Sequence, residues 1–173
     1  MKAFLVYETS WGNTKMIAQA ICDGLSEYDI DPEVCRVQDA PPLHTLHVNL
    51  LIVGAPTHAF GLSRAGTRQD AHRRGGGFIT WGVREWLETG PAALQVATFD
   101  THVRRPKLPG HAGRKTAKSL KKLGCTLVTK PESFTVEGYE GPLSTGELDR
   151  AHRWGRELGH HLTQQAPEDP TRH

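Results

Sequence analysis

Short, continuously apolar runs alternate along this chain with longer segments whose apolar residues recur at helical spacing. That alternation narrows the fold more than any other feature. Ala3–Tyr7, Asn49–Gly54 and Ala92–Phe99 are brief and apolar, as strands covered on both faces are. From Asn13 the pattern changes, and Met16, Ile17, Ala20, Ile21, Leu25 and Tyr28 fall along one side of a helix. Asp31–Val37 reads as a weaker second strand, stopped by Ala40-Pro41-Pro42. A second helical pattern starts near Thr80, where Val83, Trp86 and Leu87 share a face. Gly113–Leu123 is a basic helix with Ala117, Leu120 and Leu123 as its apolar side, closed by Gly124. Thr126–Thr129 and Ser133–Val136 make a fifth strand region interrupted at Pro131, and Leu148, Ala151, Leu158 and Leu162 mark a last helix. Strand–helix succession of this kind predicts an α/β fold, a parallel sheet with helices on both faces.

The 173 residues suit one domain with a core of its own, expected over residues 1–163. Residues 164–173, ending Ala-Pro-Glu-Asp-Pro-Thr-Arg-His, have the composition of a disordered tail. Residues 61–79 are Gly- and Arg-rich and read as a loop with a short helical turn near Arg68–His72. A net charge of +2 and the lack of interleaved aromatic and basic residues argue against nucleic acid as a partner. Cys22, Cys35 and Cys125 are odd in number and widely spaced, so reduced thiols and a cytoplasmic location are expected. No apolar run approaches the ~20 residues of a membrane span. The ten histidines show no H-E-x-x-H spacing, and no metal site is expected.

The chemistry concentrates where the first strand ends, in Leu5-Val6-Tyr7-Glu8-Thr9-Ser10-Trp11-Gly12-Asn13-Thr14. An apolar strand passing through hydroxyl and glycine residues into a helix aims successive backbone N–H groups at one point, where the helix dipole also favours an anion. Thr9, Ser10 and Thr14 add hydroxyls, Asn13 an amide, and Gly12 permits close approach. The loop contains no lysine, so a phosphomonoester fits it better than a triphosphate, which calls for a P-loop lysine and Mg²⁺.

The pattern Leu5-Val6-Tyr7-x-Thr9-x-x-Gly12-x-Thr14-x-x-x-Ala18-x-x-Ile21 resembles the FMN-phosphate signature of the flavodoxin family at every defined position. The resemblance implies a three-layer, doubly wound, five-stranded parallel sheet of order 2-1-3-4-5, with one FMN as cofactor. It further implies that Thr9, Ser10, Trp11, Gly12, Asn13 and Thr14 hold the phosphate. In the loop after the third strand, Gly54–Gly61, Pro56, Thr57, His58 and Phe60 are implied to touch one face of the flavin. After the fourth strand, Asp100, Thr101 and His102 are implied to meet its pyrimidine side. Both loops flank the point where strand order reverses, the usual ligand position in such sheets.

Two departures separate the chain from electron-carrying flavodoxins. It is not strongly acidic, and Arg64, Arg68, Arg73, Arg74, Arg104, Arg105 and Lys107 crowd the candidate flavin loops, so an electropositive site is expected. No Trp/Tyr stacking pair stands out; His58, Phe60, His102 and Trp11 are the candidates. No catalytic residue is singled out. Three functions stay open: an electron carrier working with redox partner proteins, an FMN-dependent oxidoreductase passing electrons to a small-molecule acceptor (of the quinone or protoporphyrinogen type), and a flavodoxin-fold binding module without FMN.

Overall fold

A computed structural model describes residues 1–165. Strands β1 (Lys2–Tyr7), β2 (Asp31–Arg36), β3 (Leu50–Pro56) and β4 (Gln95–Val103) run parallel in the order β2-β1-β3-β4. The remaining edge of β4 is shared by two short strands. β5 (Thr126–Leu127) pairs with Gln95 and Val96, and β6 (Glu132–Val136) pairs with Phe99 through Val103, both parallel. The fifth position of the sheet is therefore filled twice, with the expected break at Pro131 between the pieces. The order 2-1-3-4-5 is the one the resemblance implied.

Alternation along β1 shows how one strand feeds two cores. Ala3, Leu5 and Tyr7 face helices α1 (Asn13–Ser26) and α5 (Glu147–Gln165), whereas Phe4 and Val6 face α3 (Val83–Leu87) and α4 (Ala112–Lys122). The first layer packs Ile17, Ile21 and Leu25 against Trp154, Leu158 and Leu162, with Phe99 and Phe134 beneath. The second packs Val83, Trp86 and Leu120 over Leu51, Val53 and Val96. Burying a Leu- or Phe-sized side chain contributes roughly 1.5–3 kcal/mol, so these two layers supply most of the stabilising term.

α1 and α5 approach until backbone meets backbone. A Cβ added at Gly24 would come within 2.2 Å of the His152 carbonyl oxygen, and one at Gly155 within 2.1 Å of the Ile21 carbonyl oxygen. The helix that opens with the phosphate-type loop is thus clamped to the last helix of the chain. α5 runs to Gln165, two residues past the domain limit expected at 163. The rest of the proposed disordered tail lies outside the described residues.

Residues 61–79 are not only loop. Ala65–Arg73 forms a nine-residue helix, α2, longer than the turn expected near Arg68–His72. Its mean composition is polar and it has no apolar stripe, which is why the period does not show. One buried side chain, Arg68, anchors it instead.

Candidate functional site

The carboxyl ends of β1, β3 and β4 open onto one cavity of about 310 Å³. Thr9, Ser10, Trp11, Asn13 and Thr14 border it from the first loop, and Pro56, Thr57, His58 and Phe60 from the second. Thr101 and His102 border it from β4. Three segments far apart in sequence therefore converge on one space, at the reversal point between β1 and β3.

The first loop is built to receive an anion. Gly12 sits at φ +91° and turns the chain into α1, its N–H donating to Thr9 Oγ1 at 2.9 Å. The backbone N–H groups of Ser10, Trp11, Asn13, Thr14 and Lys15 find no acceptor among the described residues. The Ser10 hydroxyl is buried and also without a partner there. A buried donor left unpaired, as the Ser10 hydroxyl is, costs about 1–3 kcal/mol, so the loop favours a ligand that satisfies it. The Thr14 and Thr101 hydroxyls lie 2.8 Å apart, tying the first loop to the third. Asn13 Nδ2 donates to the Glu140 carbonyl at 3.1 Å.

The second loop is a tight turn under strain. His58 and Gly61 exchange both backbone hydrogen bonds, at 2.8 and 3.1 Å. Ala59 and Phe60 between them have φ of +47° and +86°. That is the two-residue geometry normally taken by Asn-Gly. It leaves the Phe60 ring 54 % exposed at the cavity mouth. Burial, reinforced by the nearby Arg68 charge, lowers the His58 pKa to about 4. His58 is accordingly a neutral wall of the cavity at pH 7.

Two predicted residues are not on the wall. Gly12 shapes the loop from behind. Asp100 stands just off it: its carboxylate, 1 % exposed, faces α4 and β6. There it accepts from the Gly113 N–H at 2.9 Å and the Ser133 hydroxyl at 2.6 Å. A strand end can aim a carboxylate either way, and the unpaired amides that open α4 claimed this one.

The sequence missed one side of the cavity. Thr67, Asp70, Ala71 and Arg74 come from α2 and the turn after it, and Leu108, Val136 and Tyr139 close the far edge. Arg74 lies over the Tyr139 ring, 5.4 Å from its centroid. The Gly75-Gly76-Gly77 run then lets the chain lie against the first loop, with the Gly77 N–H donating to Ser10 O at 2.7 Å. A Cβ on Gly76 would stand 3.2 Å from the Trp11 ring. An aromatic after the last strand was the one legible sign of Tyr139.

The α2 segment is fixed by a buried polar network. Glu8, the residue after β1, accepts from the Ser63 hydroxyl and, at 2.8 Å, from the Val83 N–H. Arg68, 2 % exposed, donates to Ser63 Oγ at 3.0 Å and to both Glu85 oxygens at 3.2 and 2.7 Å. Burial raises the Glu8 pKa against the pull of these donors, while hydrogen bonds from Arg68 and the backbone lower that of Glu85 despite its burial. Arg68 is consumed by this network, and Arg73 and Arg104 pair with Asp70 and Glu137. Of the seven cations expected around the ligand, Arg74 alone borders the cavity, with Asp70 nearby. The expected electropositive site is therefore close to balanced.

A model of the flavodoxin family matches residues 5–80. Over those residues the chain resembles the flavodoxin family. The match covers the first loop and the second; beyond residue 80 what is shared with flavodoxins is the fold. A solved flavodoxin from the domain Archaea is 18 % identical, with 94 % of this chain and 99 % of that one covered and a TM-score of 0.68. Flavodoxin 1 from Bacillus cereus is 17 % identical, with 96 % and 100 % covered and a TM-score of 0.68. A Streptococcus pneumoniae flavodoxin is 14 % identical, with 92 % and 99 % covered and a TM-score of 0.67. No curated protein matches the sequence. No described helix is long and apolar enough to cross a membrane.

Proposed function

We propose that the protein binds one FMN in this cavity and transfers electrons between partner proteins. The observation that carries the reading is the first loop. Five unpartnered backbone N–H groups and a buried, unpartnered Ser10 hydroxyl meet at the start of α1, with no lysine among Thr9–Thr14. Such a donor set suits the terminal phosphate of a mononucleotide. The cavity beyond it is walled by rings and apolar groups, namely Trp11, His58, Phe60, Leu108 and Tyr139, which suit a planar heterocycle.

When bound, FMN supplies one- and two-electron redox chemistry. The chain binds, orients and shields it. Thr9–Thr14 hold the phosphate end; Thr57 is itself held, donating its N–H to Thr101 O at 2.8 Å and accepting from the Ala112 N–H at 3.1 Å. That fastening keeps the second and third loops at a fixed separation around the ring. His58, neutral at pH 7, adds no charge on its side, and Arg74 with Asp70 adds little net charge on another. A flavin here is expected to be easier to reduce fully than in strongly acidic flavodoxins, because no carboxylate cluster opposes the negative charge.

The exposed apolar mouth, formed by Phe60, Leu108 and Tyr139, favours a second reading in which a small quinone-like acceptor docks there. Titration of the full chain with FMN, read by flavin fluorescence quenching, tests the first step. Binding near one per chain supports the assignment, and no binding at micromolar FMN overturns both readings. Reduction in two separate one-electron steps supports the carrier; a single two-electron step with rapid reoxidation by a quinone supports the oxidoreductase.

A further inference from the structure

At the edge of the cavity, Asp100, His102 and His111 bring one carboxylate and two imidazoles together. Their ligand atoms all lie within 4.8 Å of one another. Asp100 and His102 stand two residues apart on β4 and so share a face of the sheet, while His111 immediately precedes α4. Ser133, directly across from Asp100 on β6, completes the group.

The distances are informative. His102 Nδ1 lies 3.5 Å from Asp100 Oδ1, and His111 Nδ1 lies 3.6 Å from Oδ2. Both separations exceed the ~2.7–3.2 Å of an N–H···O hydrogen bond. They match the spacing of two donor atoms on one tetrahedral ion, which is roughly 3.3–3.4 Å when each bond is ~2.0–2.1 Å. His102 Nδ1 is buried and has no hydrogen-bond partner among the described residues. Asp100 uses one lone pair of each oxygen for Ser133 and Gly113, leaving one of each for the imidazole side. The two bonds it already makes hold the carboxylate in orientation, as outer partners of metal ligands do.

We propose that Asp100, His102 and His111 form a binding site for a divalent transition-metal ion of the zinc type. Two imidazoles and one carboxylate select zinc or its neighbours over magnesium or calcium, which demand oxygen donors. Three protein ligands leave one tetrahedral position for water or a small ligand, and His102 places the site on the cavity edge. Ser133 Oγ, which donates to Asp100, lies 3.0 Å from His111 Nδ1 and so helps to hold that ring beside the carboxylate. The site does not depend on FMN.

The test is titration of the full chain with Zn²⁺ alone in competition with a chromophoric chelator, paralleled by Co²⁺ followed in visible absorption. One ion per chain, with a tetrahedral cobalt spectrum, is the expected result. His111→Gln is expected to weaken binding by more than the ~10–100-fold that an outer partner is worth, and Ser133→Ala by about that factor. His160→Gln/His161→Gln, on the outer helix, is expected to leave it unchanged. Failure of the unaltered chain to bind, binding that survives His111→Gln, or binding lost with His160 and His161 overturns the proposal. Histidine-selective NMR of the unaltered chain gives the answer without a variant: Zn²⁺ must move the ring signals of His102 and His111, and movement confined to His160 and His161 overturns it. FMN titration of the same samples separates the two readings, since zinc binding without flavin would sink only the proposed function.

Discussion

Two segments wall the same cavity and are held by opposite means. The Thr9–Thr14 loop owes its shape to local backbone geometry, one glycine and the start of a helix. The 61–85 segment owes its shape to distant polar partners: Glu8 with Ser63 and Val83, and Arg68 with Glu85. The first is preorganised by its own residues and leaves its donors free. The second spends most of its donors on the protein and presents Thr67, Asp70, Ala71 and Arg74 to the cavity. A site needs both, one region to supply unpaired polarity and one to supply a wall that is already satisfied.

The comparison breaks most visibly at Arg68. Arg68→Ala leaves Glu85 and the buried Glu8 without their cation, and a cost of about 3 kcal/mol is expected from broken buried pairs. Urea unfolding measures it; a loss below 1 kcal/mol would mean that the network does not hold the segment. Acid should act on the same wall. The folded pKa of His58, about 4, lies below its ordinary 6.5, so its contribution is fully present above pH 6.5 and is lost as pH falls toward 4. A span of that size is worth as much as ~3 kcal/mol. Comparing the pH profile of His58→Phe with that of the unaltered chain isolates this share, and superimposable profiles would refute it.

Local geometry should respond more gently. At Gly12 an added Cβ meets nothing within 4 Å, so Gly12→Ala costs only the left-handed backbone strain, about 1–2 kcal/mol. FMN affinity should fall with it, read by fluorescence; an unchanged affinity would show that the loop's amides do not set binding. The smallest effect has the opposite sign. Phe60→Gly relieves left-handed strain of about 1–2 kcal/mol against ~0.4–1 kcal/mol of added unfolded-state entropy, so a rise in stability of up to about 1 kcal/mol is expected, with weaker flavin binding. A thermal melt and an FMN titration on one sample check both halves.

The same contrast explains what could be read from the sequence. The strands and both helical layers were legible, because apolar periodicity and burial are two views of one requirement; the sheet order came from the resemblance. The first loop was legible because its spacing is its mechanism. α2 was legible only as a short turn near Arg68–His72, since a helix with a buried arginine and no apolar face gives no periodic signal. The heading of the Asp100 carboxylate was not legible, because side-chain direction at a strand end depends on which unpaired amides lie nearby. The Asp100, His102 and His111 cluster escaped motif spacing because its members join across a strand and a loop.

The divided fifth strand has a consequence for how this molecule meets copies of itself. A sheet ends in unpaired backbone groups that invite another strand to add on. Here one outer edge is the pair β5 and β6, two and five residues long with Lys130-Pro131 between them. The other is β2, six residues that include Pro32, Asp31, Glu33 and Arg36. Neither edge presents a long, flat, apolar row, so two copies meeting edge to edge would find little register to share. For the proposed carrier, which would meet a partner briefly at one cavity mouth, flanks closed to strand addition are an advantage.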